Sequence, residues 1–177
     1  VKSGERYFYV WSHRKNIGTP LDTGSMLMIA EFDPVHPERL ISEPKCLSRP
    51  LYGFENTEHT INNEGPYAFY YHNKIYLAYS GGDARGYLYA IGMLTANDGD
   101  DLCDLSVWEK AKTPIASFAT IPGEYGPGHN SFFWDRDQNL WIAYHAVTSF
   151  EEKIVSSGMR RVYFEQDKTP RFDVIVE

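Results

Sequence analysis

Three stretches of the chain are almost continuously apolar and resemble one another. They are Arg6-Tyr7-Phe8-Tyr9-Val10-Trp11-Ser12, Lys74-Ile75-Tyr76-Leu77-Ala78-Tyr79-Ser80 and Asn139-Leu140-Trp141-Ile142-Ala143-Tyr144-His145. Tyr79 follows Trp11 by 68 residues and Tyr144 follows Tyr79 by 65, a near-regular period that marks a repeat architecture. Short runs rich in aromatic and branched residues read as strands covered on both faces. In the second and third copies a turn precedes the run, at His72-Asn73 and at Asp135-Arg136-Asp137-Gln138, and another strand precedes the turn, at 66–71 and 130–134. Turn chemistry and spacing make each pair a hairpin. A third strand is expected at 86–96 and again at 159–166, with helical signal confined to a turn near 102–108.

Each unit is thus a meander of three or four strands, the pattern of a propeller blade. The fold class predicted is all-β, a β-propeller present as an incomplete set of about two and a half to three blades. The first copy has a turn at Lys2-Ser3-Gly4-Glu5 but no strand ahead of it, so the chain is expected to open inside a blade. Blades bury their faces only against neighbours, and so few would leave large apolar surfaces bare. Residues 1–177 are therefore expected to be part of one domain whose N-terminal blades lie in a longer parent chain. A small self-contained β-sandwich is the alternative.

The bulk numbers narrow the partners. Lysine and arginine number 17 against 24 acidic residues, a net charge of −7 with the acids scattered. No basic cluster suits nucleic acid or an anionic membrane surface. No apolar run reaches the length of about 18 that a membrane helix needs. Aromatics make up 15% of the chain, including 13 tyrosines and 4 tryptophans, which suits strands and surfaces on which sugars stack. Cys46 and Cys103 have no metal-ligand spacing and read as reduced thiols. The chain opens at Val1 without a leader, so a secreted, periplasmic or cytoplasmic setting is equally open.

Candidate chemistry sits ahead of the hairpins. Asn62-Asn63-Glu64-Gly65-Pro66-Tyr67 stands directly before the inner strand of the second unit, which in a propeller is the mouth of the central channel. Proline fixes its own φ and confines its predecessor, while glycine lets the backbone approach a ligand. A carboxyl held there against Tyr67 and Phe54 would be partly desolvated, which favours the protonated form that a general acid needs. The plainer reading is a solvated loop glutamate. The next unit carries Tyr125-Gly126-Pro127-Gly128-His129-Asn130-Ser131, so two successive blades bring a Gly-Pro-flanked polar residue, Glu64 and His129, to the same end. His129 reads as an ion ligand, as a substrate contact, or as a histidine bonded into a strand end.

Taken together, Glu64-Gly65-Pro66-Tyr67, Tyr76-Leu77-Ala78-Tyr79-Ser80, Ala90-Ile91-Gly92-Met93-Leu94-Thr95-Ala96, Trp108-Glu109-Lys110 with Thr113-Pro114, Gly126 to Phe132 and Tyr144-His145-Ala146 resemble glycoside hydrolase family 43 in order and spacing, across about 7–172. The resemblance implies a five-bladed propeller that hydrolyses arabinose- or xylose-containing glycans with inversion, as an α-L-arabinofuranosidase or β-xylosidase. It implies Glu64 as general acid, and a hydrated calcium ion in the channel held by His129. Calcium prefers oxygen ligands, so that contact is an expectation from the family alone. Inversion also needs a second carboxylate roughly 6.5–9.5 Å from the acid. The family's base and pKa-tuning aspartates match no residue here, and Asp22, Asp33 and Asp83 do not occupy their positions. The alternative reading is a non-catalytic carbohydrate-binding or inactive propeller. Phe54, which with Glu55 resembles the family's aromatic-acid pair, Tyr67 and Tyr125 are candidate walls of the sugar pocket. Arg160, or its neighbour Arg161, is expected to contact a substrate hydroxyl or Glu64, or else to be a solvated edge residue. His145 is expected to pack beneath the third hairpin.

Overall fold

Each of the three apolar runs becomes the second strand of its own antiparallel sheet, as its branched and aromatic content favours. The computed structural model describes residues 1–149, 151 and 154–174, and its regular secondary structure is almost wholly strand. The first sheet holds β1 (Lys2–Ser3), β2 (Arg6–His13), β3 (Met26–Phe32) and β4 (Lys45–Ser48) in chain order. A 3₁₀ turn at Gly53–Glu55 and a short pair, β5 (Asn56–Thr57) and β6 (Thr60–Ile61), lead into the second sheet. That sheet is a meander of β7 (Asn63–Tyr71), β8 (Lys74–Gly81), β9 (Ala90–Asn97) and β10 (Glu109–Lys110). The third comprises β11 (Tyr125–Trp134), β12 (Leu140–Ser149) and β13 (Ile154–Arg161), followed by the pair β14 (Tyr163–Phe164) and β15 (Pro170–Arg171). The repeat therefore forms an all-β set of propeller blades, and the expected turn near 102–108 is a 3₁₀ turn at Leu105–Val107.

Several expected bounds shift, for identifiable reasons. The inner strands begin earlier than 66 and 130 because each Gly-Pro step is absorbed by an irregularity: the β7–β8 register slips between Glu64 and Tyr67, and the β11–β12 register slips twice between Tyr125 and Ser131. Proline, which cannot donate to a ladder, sits without penalty in such bulges. The third strands are displaced as well. Residues 86–88 are loop, with the Tyr87 carbonyl accepting from Gly126 N–H at 3.0 Å, and β13 starts at Ile154 because β12 extends to Ser149 and offers it partners. Lys2 and Ser3, expected in a turn, pair with Tyr7 and Arg6; only Gly4 and Glu5 turn, Gly4 with φ of 55°.

Stacking decides which runs are covered. Along β8, Ile75, Leu77 and Tyr79 pack with Phe8, Leu27 and Ile29 of the first sheet, while Tyr76 and Ala78 pack with Phe132, Ile142 and Tyr144 of the third. Burying each such large apolar side chain contributes about 1.5–3 kcal/mol. Only β8 matches the expectation of cover on both faces. β12 largely alternates between buried and half-buried positions and β2 is buried only at Phe8, because no described sheet lies against their outer sides; Tyr9, Phe133, Val155 and Met159 are exposed there.

One clasp recurs. Tyr79 pairs across the ladder with Gly92, and Tyr144 with Gly158, so each ring lies over a residue without a Cβ. Tyr79 Oη donates to Glu55 Oε1 at 2.8 Å, and Lys110 Nζ ion-pairs with the same oxygen at 2.6 Å. In the third sheet Tyr144 Oη donates to Glu124 at 2.5 Å, and Arg160 completes that set at 2.9 Å. A Cβ at residue 92 would fall 2.4 Å from Tyr79 Cζ, and the buried ring is tied by its hydroxyl. Gly92→Ala is therefore expected to destabilise the fold by about 1–3 kcal/mol in urea unfolding, the usual cost of overpacking.

Candidate active site

Glu64 is partly buried near the start of β7, opposite Ser80 in β8. Its neighbour Asn63 is fully buried and pinned from two sheets. Asn63 Oδ1 accepts from Ser48 Oγ at 2.8 Å, its backbone N–H donates to the Ser25 carbonyl, and its Nδ2 donates to Glu55 Oε1 at 2.9 Å. Glu55, also fully buried, accepts in addition from the Tyr52 backbone at 2.7 Å. A buried carboxylate requires this many partners, and satisfying it holds the chain rigid immediately before Glu64.

Across the β7–β8 ladder Glu64 pairs with Ser80, and across β11–β12 Gly128 pairs with His145. Tyr79 and Tyr144 are equivalent, so the register matches Glu64 with Gly128 and Gly65 with His129; the two Gly-Pro steps are not equivalent positions. Gly65 and His129 both adopt left-handed backbone, at φ of 57° and 53°. For histidine that conformation is uncommon and is found where surrounding structure enforces it. Here the His129 backbone N–H donates to Ser80 Oγ at 2.8 Å, and the ring packs on Gly65, where a Cβ would lie 3.6 Å from Nδ1.

Tyr89 completes the arrangement. Its ring covers Gly128, where a Cβ would come within 2.0 Å of Cε1, and its hydroxyl donates to Glu64 Oε1 at 2.8 Å. Burial, with the charge of Glu64 adding to it, pushes the Tyr89 phenol well above the ordinary tyrosine range, so it stays a donor. Among the described residues Glu64 Oε2 makes no hydrogen bond, which leaves one carboxyl oxygen for a ligand. His145 stacks parallel to both Tyr89 and His129, with centroids 5.7 and 6.1 Å away. Burial, joined by nearby His129, holds its imidazole below the ordinary value of 6.5, against the opposing pull of the Ala84 main chain and Glu64. His145 thus borders the site and does more than fill space beneath the hairpin. Among the described residues its Nε2 and both side-chain amide atoms of Asn130 are buried without a hydrogen-bond partner.

The other candidates are distributed unevenly. Tyr67 is exposed and, with Pro66, lines a groove of about 440 Å³ walled by Tyr7, Tyr9 and Phe32. Tyr125 stands at the start of β11, at the same end as Glu64. Phe54 packs against the core between the first two sheets. Arg160 lies apart, donating to Tyr144 and Glu124, and Arg161 stacks over Tyr163. Of the three aspartates, Asp22 is bound to Arg14, Asp33 caps a loop through Val35 N–H, and Asp83 adds to the upward shift of Tyr89. Among the described residues no group of three or more His, Cys, Asp or Glu is arranged to hold a metal. Calcium takes six to eight oxygen ligands, so these residues do not form a calcium cage; His129 could offer one imidazole to an ion that kept its water shell. Tyr89 and Ser80 escaped sequence reading. Alignment of the hairpins could have flagged Ser80, the equivalent of His145, whereas nothing in the loop before β9 singles out Tyr89.

Comparison with known proteins shows the family and supports the fold. The family model described as Glycosyl hydrolases family 43 matches residues 1–170. Two proteins called extracellular exo-alpha-(1->5)-L-arabinofuranosidase are similar: that of Streptomyces avermitilis at 29% identity over 99% of this chain, and that of Streptomyces chartreusis at 34% over 81%. A crystal structure of alpha-L-arabinofuranosidase from Lactobacillus brevis superposes with a TM-score of 0.82 at 27% identity, over 97% of this chain. The chain spans 37% and 42% of the two Streptomyces proteins and 53% of the crystallised one.

Because residue 65 needs left-handed backbone, Gly65→Ala is expected to cost about 1–2 kcal/mol in urea unfolding, while Gly53→Ala, at ordinary φ and with open space around it, should cost less than half of that.

Proposed function

The chain belongs to glycosyl hydrolases family 43, and from that membership we propose that the protein carrying it hydrolyses O-glycosidic bonds in arabinose- or xylose-containing glycans. The observation that carries the reading is the partly buried Glu64, with one oxygen bound by Tyr89, the other unbonded, and the His129 ring packed on the next residue. In the proposed reaction Glu64, protonated, gives its proton to the leaving oxygen as the glycosidic bond breaks. Water attacks the anomeric carbon from the opposite face with inversion, activated by an aspartate from outside this chain. Proton and oxygen then balance: the acid ends as carboxylate and the base protonated.

The names of the two Streptomyces relatives favour arabinofuranosidase over xylosidase activity. Tyr125 is proposed as a sugar contact because it stands at the Glu64 end, and Tyr67, at the middle of β7, as a contact for sugar lying in the groove that it lines with Pro66. Phe54 would back this wall from the core side, and Arg160 would reach substrate only through the end held by Glu124. Further blades in the parent chain are proposed to cover the exposed outer faces of β2 and β12. Calcium at His129 is proposed only as a water-shelled ion with one imidazole contact, and no step passes through it. A second reading, sugar binding without hydrolysis, draws on the lack of a second carboxylate bonded into the Glu64–Tyr89–Ser80 group among the described residues.

In the whole protein, Glu64→Gln is expected to lower release of arabinose or xylose from unactivated glycosides by roughly 10²–10⁴-fold, the range that acid catalysis contributes. Near-normal turnover would remove Glu64 from the role, and oligosaccharide binding without product in the unaltered protein would favour the second reading. Calorimetric titration with Ca²⁺ is expected to show one site that His129→Ala abolishes; unchanged binding in that variant would place the ion elsewhere.

A further inference from the structure

Beside Glu64 lies an aromatic group that proton transfer does not use. Tyr87 comes from the loop between β8 and β9, Phe118 from the segment between β10 and β11, and Tyr125 opens β11. The Tyr87 ring stacks on Tyr125 with centroids 5.1 Å apart and an interplanar angle of 22°, and meets Phe118 at 4.7 Å and 36°. Tyr87 and Phe118 are 36% and 37% exposed, so the group is not core. Leaving apolar surface in water forgoes about 25 cal/mol per Å², and a cluster of part-exposed rings offers a ligand a surface on which to stack.

Its position relative to the acid is defined by the backbone. The Tyr87 carbonyl accepts from Gly126 N–H at 3.0 Å, and two residues further on Tyr89 binds Glu64. Tyr125 precedes Gly128, the residue beneath the Tyr89 ring, by three positions, at most roughly 10 Å of extended strand. The aromatic group is therefore next to the acid but not in contact with it, where a neighbouring sugar of the same glycan would lie. Tyrosine suits such a ligand, since its flat face meets ring C–H groups, its hydroxyl meets sugar hydroxyls, and it loses little rotamer freedom. Arg85, in the same loop, already has Asp83 at 3.7 Å, so a neutral sugar fits better than a uronic acid.

We propose that Tyr87, Phe118 and Tyr125 form a stacking platform for a neutral sugar residue adjoining the cleaved linkage, making oligosaccharides better substrates than single glycosides. This rests on the hydrolytic reading above, and its test separates the two. In the whole protein, kcat/KM is measured on an aryl arabinoside or xyloside and on arabino- and xylo-oligosaccharides of increasing length. The expected result is a rise with length, which Tyr87→Ala and Phe118→Ala each reduce about tenfold more on oligosaccharides than on the aryl glycoside, as loss of one aromatic contact predicts. Tyr87→Phe should retain most of the length dependence. No length dependence, or equal losses on both substrate types in both alanine variants, would overturn the platform. If the unaltered protein cleaves neither substrate, the hydrolytic reading fails, and calorimetric titration with the same oligosaccharides decides the platform. Affinity that grows with length and is lost in Tyr87→Ala supports it, and affinity independent of length refutes it.

Discussion

The buried carboxylate of Glu55 is the constraint on which the site depends. A charge excluded from water is tolerated only when every lone pair is engaged. Lys110, Tyr79, Asn63 and the Tyr52 backbone supply those partners from β10, β8, β7 and the 3₁₀ turn. Because Asn63 is also bonded to Ser48 and Ser25, one charge ties the first sheet to the second at the residue before Glu64. Removing Lys110 would leave that charge uncompensated, so the clasp is held in place by the penalty of breaking it as much as by the gain of making it.

From that fixed point the two bulges become intelligible. Both inner strands slip register directly after the equivalent residues Glu64 and Gly128, and both put the first residue within that slip into left-handed backbone. In the second sheet that residue is Gly65, and its lack of a side chain leaves room for the His129 ring. In the third it is His129 itself, whose N–H is bound by Ser80. One backbone device thus presents a carboxylate from one blade and an imidazole from the next. Tyr89 spans them, with its ring on Gly128 and its hydroxyl on Glu64.

Position in the stack explains the differences among the three repeats. β8 is enclosed because it lies between two sheets, and its side chains are shared alternately between two cores. β2 and β12 carry similar sequences, yet each has one bare side, with Tyr9, Phe133 and Met159 exposed. An apolar run reports that a strand can be covered on both faces. Whether it is covered depends on what else is beside it.

Much of this was legible in the residue order. The repeated runs, the turns at His72-Asn73 and Asp135–Gln138, and the bulge-compatible Gly-Pro steps follow from local rules of side-chain period and backbone dihedral freedom. Those rules determined the blades and brought Glu64 and His129 to one end. They did not determine that Gly65 and His129 are equivalent, since register is set by cross-strand bonds and not by motif alignment. Nor could they find Tyr89 for Glu64, 25 residues away, or Lys110 for Glu55. Such partners are chosen only when sheets stack, because desolvation makes a distant hydroxyl or ammonium worth binding only after the chain has closed around it.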